Sequence, residues 1–219
     1  MSIKILLSYI LLFLFSVFTC TSTNNTYSYE KEKHNTCRQE KIQSSTRNVY
    51  KEVDYPTPNI DRDKINTVEG VILHHTAEPT VEKSLSVLTS LKKKVGTHVV
   101  INTDGTRYIM ANPEVVTFHA GLSILNGKVG CNNFTIGIEF QGNTLEKPLT
   151  KDQIYSAIEY LKPIIKKYHI PIKNIVTHEM VRQAYKKRYP NKRCSGKADI
   201  TPIEYQRFIK VLKSAISEK

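Results

Sequence analysis

Apolar positions along this chain follow two periods, and the switches between them mark out its elements. Val71, Ile72 and Leu73 form a short continuous run between Gly70 and the pair His74 and His75, which predicts a buried strand over about Val68 to His75. Val81, Leu85, Leu88 and Leu91 then keep helical spacing, with Thr80 placed to cap that helix and Gly96 to stop it. Asp104-Gly105 is a strong hairpin signal between Thr97–Ile101 and Thr106–Met110. Ala111 to Asn133 has no regular period, and loops of that length in compact domains are often functional. Phe134 to Phe140 alternates as a strand does. Thr150 and Gln153 make a capping box ahead of Ile154, Ile158, Leu161, Ile165 and Tyr168, and Pro163 should kink or break that helix by removing one donor. Ile172 to Thr177 predicts a short last strand ending at His178. Thr201, Pro202 and Glu204 open a C-terminal helix whose apolar positions are Tyr205, Phe208, Leu212 and Ala215. Strands and helices interleave. That predicts an α/β fold, a mixed central sheet of about five strands flanked by helices.

The same pattern divides the chain lengthwise. An almost unbroken apolar run from Ile5 to Phe18 follows Lys4 and gives way to the polar Thr21 to Thr26. It is shorter than the roughly 20 residues of a membrane-spanning helix, so residues 1–19 are expected to be a secretory signal peptide. Cys20 stands where the run stops, the place of the lipidated first residue in a bacterial lipoprotein. An exported protein of the periplasm or cell envelope, anchored to the membrane through Cys20, is therefore expected. Residues 20–54 are polar with few periodic apolar positions and read as a tether. Tyr55-Pro-Thr-Pro-Asn59 should form an extended arm lying on a single domain that runs from residue 55 to 219.

Composition adds one constraint and charge another. With 40% hydrophobic residues, the 219-residue chain can fill one core. Residues 20–66 carry 8 basic and 7 acidic side chains, whereas residues 67–219 carry 23 against 13, so the positive charge belongs to the folded domain. Seven basic residues and no acidic one fall between Arg182 and Lys197. Such a run is ordinarily a solvated face, and here it invites an anionic partner. Export argues against nucleic acid and for anionic wall polymer or carboxylate-bearing peptides. Beyond Cys20 the cysteines are Cys37, Cys131 and Cys194, an odd number in which Cys37 with Cys131 is one possible pair.

Candidate chemistry gathers at strand ends. His74 ends the first strand, His178 the last, and Cys194 lies in the loop before the C-terminal helix. Two imidazoles and a thiolate suit zinc and leave a fourth position open, the mark of a catalytic rather than a structural site. Side chains alternate across a strand, so His75 should face the opposite side from His74 and serve structure. His98 is a candidate core histidine. On spacing alone the ligand set is a weak signal, because its members are far apart in the chain.

Several motifs in order carry a family resemblance. Gly70-Val-Ile-Leu-His-His-Thr76, Thr97-His-Val-Val-Ile-Asn-Thr-Asp-Gly-Thr106, Phe118-His-Ala-Gly121, Ile136-Gly-Ile-Glu139 and Ile175-Val-Thr-His-Glu179, followed by Lys192-Arg-Cys194, together resemble zinc-dependent N-acetylmuramoyl-L-alanine amidases. That superfamily also holds the peptidoglycan recognition proteins. Tyr55 to Arg62 is similar to the arm before the domain in membrane-anchored members. The resemblance implies a peptidoglycan-recognition-protein-like fold and a Zn2+ ion held by His74, His178 and Cys194. It further implies Glu139 as proton carrier and Lys192, two residues before the third ligand, as oxyanion stabiliser. His119 would line the substrate groove. The substrate implied is peptidoglycan or muropeptide, cut between N-acetylmuramic acid and L-alanine, with no nucleic acid partner and a monomeric protein. A peptidoglycan-binding module that does not cut is the alternative. Three positions depart from the family pattern: the gap from His178 to Cys194 is long, Ser195 stands where proline commonly follows the ligand, and Thr97 replaces a tyrosine found in some branches. Asp199 is the fallback third ligand.

Overall fold

A computed structural model of the protein describes residues 49–194 and 199–217. The expected signal peptide, Cys20, Cys37 and most of the tether lie outside these residues. Among the described residues no helix is long and apolar enough to cross a membrane.

Among the described residues, ten strands and four helices follow one another along the chain. In order they are β1 (Glu52–Asp54), β2 (Ile60–Ile65), β3 (Gly70–His75), α1 (Val81–Leu88), β4 (Val99–Ile101), β5 (Arg107–Ile109), β6 (Val115–Thr117), β7 (Ile124–Leu125) and β8 (Lys128–Val129). There follow β9 (Thr135–Phe140), α2 (Lys151–Tyr168), β10 (Ile175–Thr177), α3 (His178–Arg188) and α4 (Pro202–Ser217). Six strands make the central sheet in the order β1-β5-β4-β9-β3-β10. β4, β9, β3 and β10 are mutually parallel, while β5 runs against β4 with β1 parallel to it. The expected mixed sheet flanked by helices is present, with six strands instead of about five.

The sixth strand is β1, taken from the stretch expected to be tether. Its burial alternates exposed, half-buried, exposed, and its Glu52 and Asp54 carry no apolar signal. Backbone pairing holds it: Arg107 N–H donates to Lys51 O at 2.8 Å and Tyr55 N–H to Ile109 O at 2.9 Å. An edge strand needs only one paired side, so hydrophobic periodicity does not reveal it.

Strand alternation sorts β3 into two faces. Val71 and Leu73 join Ile136, Ile138 and Phe140 of β9 in the main core under α2 and α4, where Leu161, Phe208 and Leu212 are fully buried. Ile72 faces the other way, into a smaller cluster with Ala120, Leu125, Cys131, Phe134 and Val181. Full burial of one such aliphatic or aromatic side chain is worth about 1.5–3 kcal/mol. By the same alternation His74 follows Ile72 and His75 follows Leu73. His75 accordingly meets Thr144, whose Oγ1 lies 2.9 Å from its Nδ1 and whose N–H donates to that nitrogen at 3.1 Å.

Helix ends answer to local chemistry. The capping box of Thr150 and Gln153 is formed, and α2 runs unbroken through Pro163, which sits on the exposed face where water can satisfy the freed carbonyl. α1 ends at Leu88, leaving Leu91 69% exposed. Asn59 of the arm donates its side-chain amide to Leu88 O at 3.0 Å and Val95 O at 2.7 Å, and Thr57 Oγ1 donates to Leu88 O at 2.7 Å. The two bonds to Leu88 O satisfy a carbonyl that the terminating helix leaves bare, and the bond to Val95 O ties down the segment after it. α3 was not expected. It begins at His178 under a Thr177 cap and buries only Val181 and Tyr185, too few apolar positions to show a period. Glu179 in its first turn and Lys186, Lys187 and Arg188 in its last suit the helix dipole.

Candidate metal centre and cleft

Open α/β sheets gather chemistry beyond the carboxyl ends of their parallel strands. Here three neighbouring strands end together. Register pairs His74 with Glu139 across β3 and β9, and Thr177 with Leu73 across β10 and β3, so His178 follows one step on beside His74. The fourth group arrives from outside the sheet, just before α4: Asp199 Oδ2 lies 3.2 Å from His74 Nδ1 and 3.3 Å from His178 Nδ1. One ligand atom from each of the three residues falls within 4.8 Å of the others.

Asp199 is locked in place by its second oxygen. Oδ1 accepts from His75 N–H at 2.8 Å and Ile200 N–H at 2.9 Å. Burial alone would raise this carboxyl, but the two imidazoles and the His75 N–H outweigh it and hold Asp199 well below the usual carboxylate range, ionised. Burial pushes His74 down, more than the neighbouring carboxylate pulls it up, so that imidazole is neutral. His178 Nε2 donates to Ala120 O at 3.2 Å, which leaves its Nδ1 free to coordinate.

Cys194 does not join this group. It is half-buried, and its Sγ lies 3.6 Å from Leu122 O. Asp199 stands where Cys194 was expected, because the His75 N–H at the strand end docks its carboxylate there, helped by the adjacent Ile200 N–H. Lys192 is exposed, its backbone N–H given to Tyr189 O at 3.0 Å, and it is not among the residues that line the cleft. Counting two residues back from Asp199 instead reaches Lys197, which lies outside the described residues.

The cleft encloses about 220 Å³. His74, His178, Asp199, Glu139 and His119 form its polar side, and Val87 and Leu88 of α1 part of its apolar wall. His119 has both ring nitrogens engaged: Nδ1 is 3.2 Å from His74 Nε2 and Nε2 is 3.3 Å from Thr135 O. The groove contact expected of it is thus limited to the ring itself. His98 lies behind, fully buried, with Gly137 N–H donating to its Nδ1 at 3.0 Å and its Nε2 donating to Val115 O at 2.9 Å. Burial brings its pKa down to about 4. Cys131 is buried and its thiol pushed up to about 11, out of the range of a ligand or nucleophile.

The sequence profile of N-acetylmuramoyl-L-alanine amidase matches residues 64–197, well over half of the chain. The chain belongs to this amidase family. A stretch of 126 residues, 51% of the chain, is 29% identical to N-acetylmuramoyl-L-alanine amidase AmiD of Escherichia coli and spans 45% of it. A stretch of 77 residues, 34% of the chain, is 38% identical to 1,6-anhydro-N-acetylmuramyl-L-alanine amidase AmpD of Haemophilus influenzae and spans 40% of it. The chain thus matches less than half the length of either relative. Among solved structures, the complex of E. coli AmiD with anhydro-N-acetylmuramic acid-L-Ala-D-γ-Glu-L-Lys aligns with a TM-score of 0.51 at 22% identity, over 68% of this chain and 59% of that one. At that identity the likeness speaks for the fold, a mixed sheet flanked by helices.

Strand pairing makes Glu139 and His74 neighbours. Both stand on the same face at the same register step, so no loop has to bring them together. Chemically the arrangement offers two imidazoles and one carboxylate converging beside an open cleft, a donor set that suits a divalent ion with a place left over.

Proposed function

We propose that this protein is a zinc-dependent amidase that hydrolyses the bond between the lactyl group of N-acetylmuramic acid and the L-alanine of a peptidoglycan stem peptide. The observation that carries the reading is the convergence of His74, His178 and Asp199 on one point of a cleft that also holds Glu139. The residues fit the ion. His178 Nδ1 and His74 Nδ1 stand 3.3 Å and 3.2 Å from the same Asp199 Oδ2, close enough for the three atoms to share one cation.

His74, His178 and Asp199 would hold Zn2+. When bound, zinc polarises a carbonyl and makes water a nucleophile near neutral pH. Glu139, fixed on the neighbouring strand, takes a proton from the attacking water and delivers it to the alanine nitrogen as the C–N bond breaks. Proton transfer of this kind is typically worth about 10²–10⁴ in rate. A lysine two residues before the third ligand stabilises the oxyanion, and with Asp199 in that place the lysine is Lys197. The cations at the end of α3, Lys186, Lys187 and Arg188, would attract the carboxylates of the stem peptide.

The test is direct. Purified protein is incubated with muropeptides, anhydro-muropeptides and intact peptidoglycan, and products are read by mass spectrometry with and without a chelator. Release of intact stem peptide from muramic acid, stopped by the chelator and restored by zinc, is expected. Substrates left whole by zinc-loaded protein that still binds them would instead make this a wall-binding module.

A further inference from the structure

The domain is strongly basic, yet its cleft is not. Among the described residues that line it there is no lysine or arginine, and besides the histidines its ionisable side chains are three carboxylates, Asp199, Glu139 and Glu78. Two of these are already engaged: Asp199 stands with His74 and His178, and Glu139 carries the proton. Glu78 is not. It is half-buried, and among the described residues only its backbone is hydrogen-bonded.

That backbone fixes Glu78 at the rim. Pairing between β3 and β9 continues past their ends: Thr76 N–H donates to Phe140 O at 3.0 Å, Ala77 N–H to Gly142 O at 2.9 Å, and the Gln141 side-chain amide to Glu78 O at 3.0 Å. Thr76 Oγ1 accepts from Glu78 N–H at 3.3 Å and from Gly142 N–H at 3.2 Å. Ala77 sits at φ 54°, a left-handed conformation costly to a residue with a Cβ, which persists only where its surroundings over-determine it. Four residues separate Glu78 from His74, so the two lie no further apart than about 14 Å along the chain. A carboxylate without a partner, in a cleft with an apolar wall and no lysine or arginine among its described lining, attracts a positive group.

A stem peptide offers one group of that kind. Its carboxylates are repelled by Glu78 and its amides are neutral, but the side-chain amine of its diamino residue, two residues beyond the alanine, is positive. An extended alanine, a γ-linked glutamate and that side chain are together long enough to reach from the scissile amide across the interval between His74 and Glu78. We propose that Glu78 is a specificity-determining residue that pairs with the free side-chain amine of the diamino residue in the stem peptide. This rests on reading the cleft as the amidase site. The same amine is the atom acylated when stems are cross-linked, and acylation removes its charge. The enzyme therefore favours stems whose amine is free over those that have served as acceptors in a cross-link.

Two soluble muropeptides test it, one with a lysine side-chain amine free and one with that amine acetylated, each assayed with zinc-loaded, full-length protein. Wild type is expected to show kcat/KM about 5–20-fold higher on the free amine, the worth of a charge-assisted bond discounted for partial exposure. Most of the difference should lie in KM, and it should shrink as salt is raised. Glu78→Gln, checked to hold as much zinc as wild type, should bring the two substrates to within about twofold of each other. Glu78→Lys should turn the preference round. Equal kcat/KM for the two substrates in wild type overturns the proposal and leaves the amidase reading standing. So does a preference that Glu78→Gln retains. Wild type that cuts neither compound fails the amidase reading instead, and the affinities of the two compounds, read by calorimetry, then decide. A free-amine preference that depends on Glu78 keeps the pairing, and equal binding or none removes it.

Discussion

The strand-end cluster and the segment after α3 were given equal weight by their residue types, yet the structure treats them differently. His74 and Glu139 sit on adjacent parallel strands and His178 directly follows a third, β10, so pairing register fixes each relative to the next. Asn191, Lys192 and Arg193, by contrast, are exposed, and Cys194 is half-buried. A residue carried by a strand inherits its position from a ladder of backbone hydrogen bonds. A residue carried by a loop has to be captured by something specific, as Asp199 is by the N–H groups of His75 and Ile200. Chemical suitability, which Cys194 and Lys192 both have, does not supply that capture.

The sharpest way to break this contrast is at the third ligand. Asp199→Ala removes the group on which both imidazoles converge, and zinc content and muropeptide hydrolysis should both be lost, the latter by at least about 10³-fold given the several kcal/mol a metal supplies. Cys194→Ser should leave both within about twofold, since surface changes away from a site are usually near neutral. The reverse result, zinc lost with Cys194 and kept without Asp199, would return the thiol to the centre and undo the comparison.

Next come the groups assigned to proton and oxyanion. Glu139→Gln should lower kcat by about 10²–10⁴ with zinc still bound. Lys197→Ala should cost about 10²–10³, the usual loss of one oxyanion donor, and Lys192→Ala should cost almost nothing. Steady-state kinetics on a soluble muropeptide separates the two lysines. A larger effect from Lys192 would mean that the exposed segment folds onto the cleft when substrate arrives.

What could be read from the sequence tracks the same division. Continuous or alternating apolar runs gave β3 and β9 to within two residues, and alternation alone put His75 on the face opposite His74, where Thr144 meets it. β1 escaped because an edge strand of charged residues has no period to detect. α3 escaped because two buried residues do not make an amphipathic stripe. Asp199 was visible as a fallback only; its claim depends on N–H donors from His75, 124 residues away in the chain, which no local pattern encodes. The contact of His119 with His74 was likewise hidden, although Gly137, on which the His119 ring lies, was its available trace.

The smallest expected effect tests whether the buried side of the comparison must stay neutral to stand. His98 is fully buried and keeps a pKa of about 4, whereas the unfolded chain protonates it near the ordinary histidine value of about 6.5. The unfolded state therefore binds this proton first as the pH falls, and stability drops through the window from about 6.5 to about 4, then levels. The shift corresponds to about 3 kcal/mol across that window. His98→Gln should be less stable than wild type near neutral pH, having lost the fit to Gly137 N–H and Val115 O. Its denaturant midpoint should then fall less steeply between about pH 7 and about pH 4, because the replacement does not titrate. His74 and His119 lose stability in the same direction but remain in both proteins, so the difference in slope isolates His98. A gap between the two proteins that stays constant over the whole range would mean that His98 is hydrated and protonated in the fold, and that the sheet behind the cleft is wetter than its packing implies.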